Sequence, residues 1–174
     1  MPTAKKNFER GPAADASRER FIDRFDPPIA ELLRESRSAM REHFPTAVEL
    51  VYDNYNALAI GWAPSERASE VIVSVAGFPR GVSLYFTHGA KLDDPDGLLE
   101  GGGRQGRFIR LERAAQLKDP RVVALLNAAR ALGKTPLPDA GEGFTVIKSV
   151  SAKQRPRRAT PKPGRRVKSR ATQD

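Results

Sequence analysis

Two segments of the chain repeat apolar residues with the spacing of an amphipathic helix. Each follows an aspartate and a proline, which is typical of a helix start because the carboxylate accepts free backbone N–H groups and proline fits the first turn. One helix is predicted from Asp26-Pro27 to Pro45, and another from Asp119-Pro120 to Gly133. A shorter helix is predicted over residues 17–25.

Between these helices the apolar period changes to two, which predicts β-strands. Four runs are separated by short connections, at residues 46–53, 57–62, 70–78 and 82–86, and a fifth run, at residues 107–112, follows a glycine-rich loop. Residues 144–150 are a candidate for a last short strand. The order predicts an α+β fold, in which an antiparallel sheet of about five strands has two helices packed on one face and water on the other.

The charge is distributed unevenly along the chain. The net charge of the whole chain is +9. Residues 151–174 carry nine Lys/Arg and one Asp, a net charge of +8, and residues 1–20 carry five Lys/Arg and three Asp/Glu, a net charge of +2. Residues 21–150 therefore have a net charge of −1. We therefore expect a disordered N-terminal segment (1–16), an α+β domain (17–150) and a disordered basic C-terminal tail (151–174).

Composition excludes several classes of protein. There is no cysteine, which removes disulfides, thiolate metal sites and cysteine nucleophiles. No apolar leader and no run of about 18 apolar residues is present, so we expect a cytoplasmic protein without a membrane partner. The two histidines are His43, predicted to be structural at a helix end, and His88. No catalytic residues are predicted, and oligomeric state is left open.

Three consecutive motifs carry a family resemblance. They are ELVYDNY (49–55), NALAIGW (56–62) and LYFTHGAKLDDPDGLLEGGG (84–103), and they follow a predicted helix. Together they resemble the YdhG-like family of small bacterial domains, over roughly residues 25–133. The resemblance implies an α+β fold often compared with frataxin, and one member is described as an iron chaperone.

An acidic loop follows the fourth strand, and oxygen ligands of this kind suit hard cations. The resemblance implies iron as the cation, and an iron site of frataxin type is one hypothesis. Iron is then the candidate cofactor, and its ligands would be Asp93, Asp94, Asp96 and Glu100, with His88. The spacing does not fit an EF-hand, because Leu92 and Gly103 occupy ligand positions. The alternative is local structure, in which Asp94 accepts backbone N–H groups and two leucines enter the core.

The next stretch, GGGRQG (101–106), has the G-x-G-x-x-G spacing of dinucleotide-binding loops. Such a loop requires a following helix, whereas residues 107–112 are predicted to form a strand. We therefore expect a hairpin or crossover loop. Neighbouring arginines (Arg104, Arg107, Arg110) are candidates to hold a small anion or to pair with nearby acids.

The basic tail has the composition of a segment that binds polyanions by counterion release. We predict binding of nucleic acid or another polyanion, without sequence preference, by Lys153, Arg155, Arg157, Arg158, Lys162, Arg165, Arg166, Lys168 and Arg170. A solubilising role without a partner is the alternative. A third possibility is a small-ligand binder or enzyme, using strand aromatics (Tyr52, Tyr55, Trp62, Tyr85 and Phe86) to line a cleft.

Overall fold

The structure, a computed structural model, describes residues 8–161. The helices in this part of the chain are α1 (Pro12–Ile22), α2 (Pro27–His43) and α3 (Pro120–Leu132). The strands are β1 (Val48–Asp53), β2 (Leu58–Ala63), β3 (Val73–Phe78), β4 (Gly81–Phe86), β5 (Arg107–Leu111) and β6 (Thr145–Val150). The predicted α+β class is therefore confirmed.

The strands form one mixed sheet in the order β5-β4-β3-β2-β1-β6. Strands β1 to β5 follow one another as antiparallel neighbours. Short connections join β1 to β4, as predicted, and the longer stretch of residues 87–106 joins β4 to β5. Strand β6 pairs with β1 in parallel. The sheet therefore has six strands and is mixed, whereas about five antiparallel strands were predicted. A parallel pair needs a long connection, and the chain that includes α3 provides it for β6.

Helix α1 begins in the stretch expected to be a disordered lead-in (1–16). Residues 8–11 pair beside β6: Gly11 N donates to the Thr145 carbonyl at 2.9 Å, and Ile147 N donates to the Glu9 carbonyl at 3.0 Å. Pro12 occupies the first turn of the helix. The short helix predicted over residues 17–25 is therefore present, but it begins earlier, at Pro12, and ends at Ile22. Its first turns were not predicted, because small and charged residues are among those it buries (Ala14, Ser17, Arg18 and Ile22). Residues 1–7 lie outside the described residues.

Helices α2 and α3 begin where the Asp-Pro signals predict, but the two aspartates act differently. Asp119 accepts from Arg121 N at 2.9 Å and so caps α3. Asp26 makes no side-chain cap to α2. Its carboxylate instead accepts from Ala159 N at 3.3 Å, which ties the later chain to the start of this helix.

The main core lies between the sheet and the helices. Trp62 and Phe86, two of the aromatics considered for a cleft, are fully buried there. Leu33 of α2 lies over Gly77 of β3, where a Cβ would come within 2.7 Å of a leucine methyl carbon. On the opposite face of the sheet, a smaller cluster around Leu50 is covered by Phe8 and Val71, so that face is only partly open to water.

No helix within residues 8–161 is both long enough and apolar enough to cross a membrane.

Candidate functional site

Strand β1 carries two carboxylates that are fully buried, Glu49 and Asp53. They are four residues apart, so they point to the same face of the sheet, toward the helices. A buried carboxylate is tolerated only when cations and hydrogen-bond donors surround it. Each of the two therefore organises arginines from distant parts of the chain.

Glu49 is paired with arginines of both N-terminal helices. Arg41 lies 2.7 Å from its carboxylate, Arg37 lies 3.1 Å away and the buried Arg18 lies 3.3 Å away. Arg18 also donates to the Thr145 hydroxyl of β6 at 2.9 Å. These ion pairs and hydrogen bonds connect α1, α2, β1 and β6 to one another, so the network has a structural role.

Asp53 is paired with the C-terminal segment, which we define as residues 151–161. Arg157 lies 2.9 Å from one carboxylate oxygen, and its side chain is only 2% exposed. Gln154 donates to the other oxygen at 2.8 Å, and Arg24 of the body lies 2.6 Å from that oxygen. The Arg157 guanidinium also stands 5.8 Å from the ring centroid of Phe25.

Backbone hydrogen bonds continue this attachment. Ser151 N donates to the Asp53 carbonyl and Arg155 N to the Tyr55 carbonyl, both at 2.9 Å. The C-terminal segment is therefore packed on the body, in contrast to the expected disordered tail from residue 151. The physical reason is Asp53, whose buried charge needs the guanidinium of Arg157.

Four of the nine basic residues predicted to bind nucleic acid are described by the structure. Arg157 is buried, whereas Lys153, Arg155 and Arg158 are exposed. The Arg155 guanidinium lies 5.5 Å from the ring centroid of Tyr55, which is 40% exposed. These three exposed cations and this aromatic ring form what we call the basic-aromatic patch. The remaining five lie outside the described residues (Lys162, Arg165, Arg166, Lys168 and Arg170).

In the acidic loop, Asp94 has a local structural role. Its two carboxylate oxygens accept from Leu98 N at 2.9 Å and Leu99 N at 2.8 Å. Both leucines pack against the core. The turn also places Gly97 at φ 64°, a conformation that favours glycine. The local-structure alternative for Asp94 is confirmed.

The five proposed metal ligands do not form one group. Asp93, Asp94 and Asp96 border the same hollow of about 200 Å³, which Arg121 also lines, while His88 lines a different cleft. Glu100 lies 3.5 Å from Arg110. Within residues 8–161, no three His, Asp or Glu side chains are grouped in a way that could hold a metal ion.

The glycine-rich loop joins two short antiparallel segments, as expected for a hairpin. Glu100 N donates to the Phe108 carbonyl at 2.8 Å, and Phe108 N donates back at 3.0 Å. Strand β5 rather than a helix follows the loop. The Arg107 guanidinium donates to the Gly103 and Gly106 carbonyls, so it stabilises the loop.

The structural prediction for His43 is also confirmed. Its Nε2 lies 3.2 Å from the Leu117 carbonyl, between α2 and the short helical turn before α3.

The sequence did not reveal the pairing of Arg157 with Asp53, because 104 residues separate them and no local spacing links them. In the sequence Arg157 looks like any other tail arginine, and Asp53, the last residue of β1, looks like part of the turn that follows the strand. The chain matches no protein-family model, no curated protein and no solved structure.

Proposed function

We propose that this protein is a non-enzymatic, YdhG-like binding protein that holds nucleic acid through its basic C-terminus without sequence preference. The observation that carries the proposal is the basic-aromatic patch, in which Arg155 lies beside the half-exposed ring of Tyr55, and Lys153 and Arg158 of the same segment are also exposed. Proteins that bind single strands without sequence preference combine cations for the phosphates with aromatic rings on which bases stack.

Charge supports the same partner. Residues 151–174 carry nine Lys/Arg; among those that the structure describes, Arg157 is buried against Asp53 and the other three are exposed. Contacts of such side chains with phosphates release counterions, which favours binding at low salt.

The attachment of the C-terminal segment also favours binding. Because Arg157 and Gln154 fix the segment to Asp53, the patch is held in place before a partner arrives. Less conformational entropy is then lost on binding than with a free chain.

Salt-dependent binding tests the proposal. Fluorescence anisotropy would compare a labelled single strand of thymidines bound to the full chain and to a chain ending at Pro161. This truncation removes five basic residues and keeps Arg157, so the body stays intact. With five fewer phosphate contacts, the slope of log affinity against log salt should fall by up to about 3.5. Equal affinities and slopes for the two chains would reject the role of the tail.

A second pair of variants tests the patch itself. Tyr55→Ala should weaken binding by roughly five- to 150-fold, the loss expected for one stacked base. Phe144→Ala is the matched control, because this ring is also exposed, at 42%, but precedes β6 at the opposite end from the C-terminal segment. If both variants bind like the wild type, Tyr55 does not take part.

The iron-chaperone alternative rests on the family resemblance alone, since the described residues contain no gathered ligand set.

A further inference from the structure

A concave site lies at the other end of β2 from the basic-aromatic patch. It is a cleft of about 490 Å³ between the β2–β3 connection, the end of β4 and the C-terminal end of α3. Its volume is within the range of small-molecule sites, about 300–1,000 Å³. The lining residues that matter here are Glu70, Ile72, His88, Lys91, Leu132 and Lys134.

One wall of the cleft is apolar. Ile72 is nearly buried, and Leu132 of α3 is 40% exposed although its side chain is large and apolar. Val71 and Ala129 extend this wall. An apolar ligand body placed against it would cover Leu132 and remove apolar surface from water, which is favourable.

The charged side chains of the cleft are mainly cationic. Lys91 and Lys134 are both exposed at its border. In the described part of the chain, the lysine that pairs with a carboxylate is Lys118, with Glu42 at 3.6 Å, whereas Lys91 and Lys134 make no such pair. Their charges are therefore available to a ligand.

The carboxylate of Glu70, which also lines the cleft, is already engaged in hydrogen bonds. The Ser65 hydroxyl donates to one oxygen, and the Thr135 hydroxyl donates to the other at 2.9 Å. These hydrogen bonds, with that of Ser65 the larger cause, hold the pKa of Glu70 below its ordinary value, so the group is ionised at neutral pH. Two lysines against one carboxylate leave the cleft with an excess of positive charge.

The C-terminal end of α3 borders the cleft with its partial negative charge. The attraction for an anion therefore comes from the lysines, and the anionic group of a ligand belongs at the border, with the apolar body against Ile72 and Leu132.

We propose that this cleft is a binding site for a small organic anion with an apolar, aromatic-sized body, whose anionic group pairs with Lys91 and Lys134. The site is independent of the nucleic-acid proposal, because it shares no residue with the basic-aromatic patch.

The test uses 8-anilinonaphthalene-1-sulfonate, an aryl sulfonate whose fluorescence rises in an apolar environment. We expect saturable binding with one site per chain. A chain ending at Pro161 should bind it equally well, which separates the cleft from the cations of the tail. Binding that does not saturate, or that is lost with the tail, would overturn the proposal.

Variants then locate the site. Lys91→Gln combined with Lys134→Gln should weaken sulfonate binding roughly tenfold, as expected for the loss of two exposed ion pairs. The uncharged analogue N-phenyl-1-naphthylamine, which lacks the sulfonate, should bind this variant and the wild type equally. Lys118→Gln is the matched control, since this lysine is 69% exposed and does not line the cleft.

A competition experiment defines the ligand class. Naphthalene-1-sulfonate should displace the fluorescent probe, whereas inorganic phosphate, which has no apolar body, should not. Circular dichroism at increasing temperature provides a second measurement, because a ligand that binds only the native state raises its melting temperature. Wild-type affinity in the double lysine variant, or equal loss of the charged and uncharged probes, would refute the assignment.

Discussion

The buried pair of Arg157 and Asp53 leads to a specific prediction about stability. The change is Arg157→Met, which keeps most of the side-chain volume and removes the charge. Arg157 is 2% exposed in its side chain, and Asp53 is fully buried. If residues 151–161 belong to the folded body, this substitution in the expected tail must destabilise the whole domain.

The size of the effect follows from the partners that Asp53 loses and keeps. Breaking a buried ion pair costs about 3–5 kcal/mol when the remaining charge is uncompensated. Here Asp53 keeps Arg24 and Gln154. In addition, Arg157 Nε is buried without a hydrogen-bond partner in the described residues, so its removal relieves a cost of about 1–3 kcal/mol. We therefore expect a net loss of about 2 kcal/mol.

Urea denaturation followed by circular dichroism measures this loss as a change in the free energy of unfolding. The matched control is Arg158→Met, because its exposed neighbouring position should change stability by less than about 0.5 kcal/mol. If thermal unfolding is measured instead, a loss of about 2 kcal/mol should lower the melting temperature by roughly 4–8 °C for a chain of this size. If Arg157→Met and Arg158→Met are equally stable, the C-terminal segment is not anchored at Asp53.

Three further predictions concern the body of the protein. Glu49→Gln should lower the free energy of unfolding in urea by about 3 kcal/mol or more, because it leaves arginines around a fully buried position; an unchanged midpoint would contradict this. Gly143→Ala should cost about 1–3 kcal/mol or more, since the new Cβ would meet a backbone carbonyl oxygen at 1.9 Å, while Gly102→Ala, with open space around it, should be neutral. Hydrogen bonds from the side chain and backbone of Arg121 lower the pKa of Asp119 from 3.8 to about 2. Its contribution to stability is therefore complete above its unfolded-state pKa and is lost as pH falls from about 4 to about 2. The difference between wild type and Asp119→Ala in thermal melts should shrink over that range; a constant difference would show that the ionised cap does not act.

Local rules predicted much of the fold. The start of α3 at Asp119-Pro120 needs only the free N–H groups of one helical turn and the fixed φ of proline, and both lie within a few residues. The hairpin that follows Glu100 could be predicted in the same way, because the apolar period of residues 107–112 excludes a helix after the glycines. The acidic loop also followed a local rule, in which Asp94 accepts nearby N–H groups.

Features that depend on distant partners could not be predicted. The placement of β6 beside β1 is one, since many strand orders satisfy the same apolar period. The cleft is another such feature. Lys91 and Lys134 are 43 positions apart in the sequence, and both border the cleft only because α3 ends near the β4 end of the sheet.

The sequence by itself determined the elements, their approximate limits and the excess of positive charge in residues 151–174, because helix periodicity, turn residues and net charge are properties of neighbouring positions. Only the tertiary structure decided which of these charges remain exposed. The buried carboxylate of Asp53 requires a cation. Arg157 provides this cation in the folded chain, while Arg155 and Arg158 stay on the surface. That selection depends on three-dimensional proximity, which the order of residues in the tail does not contain.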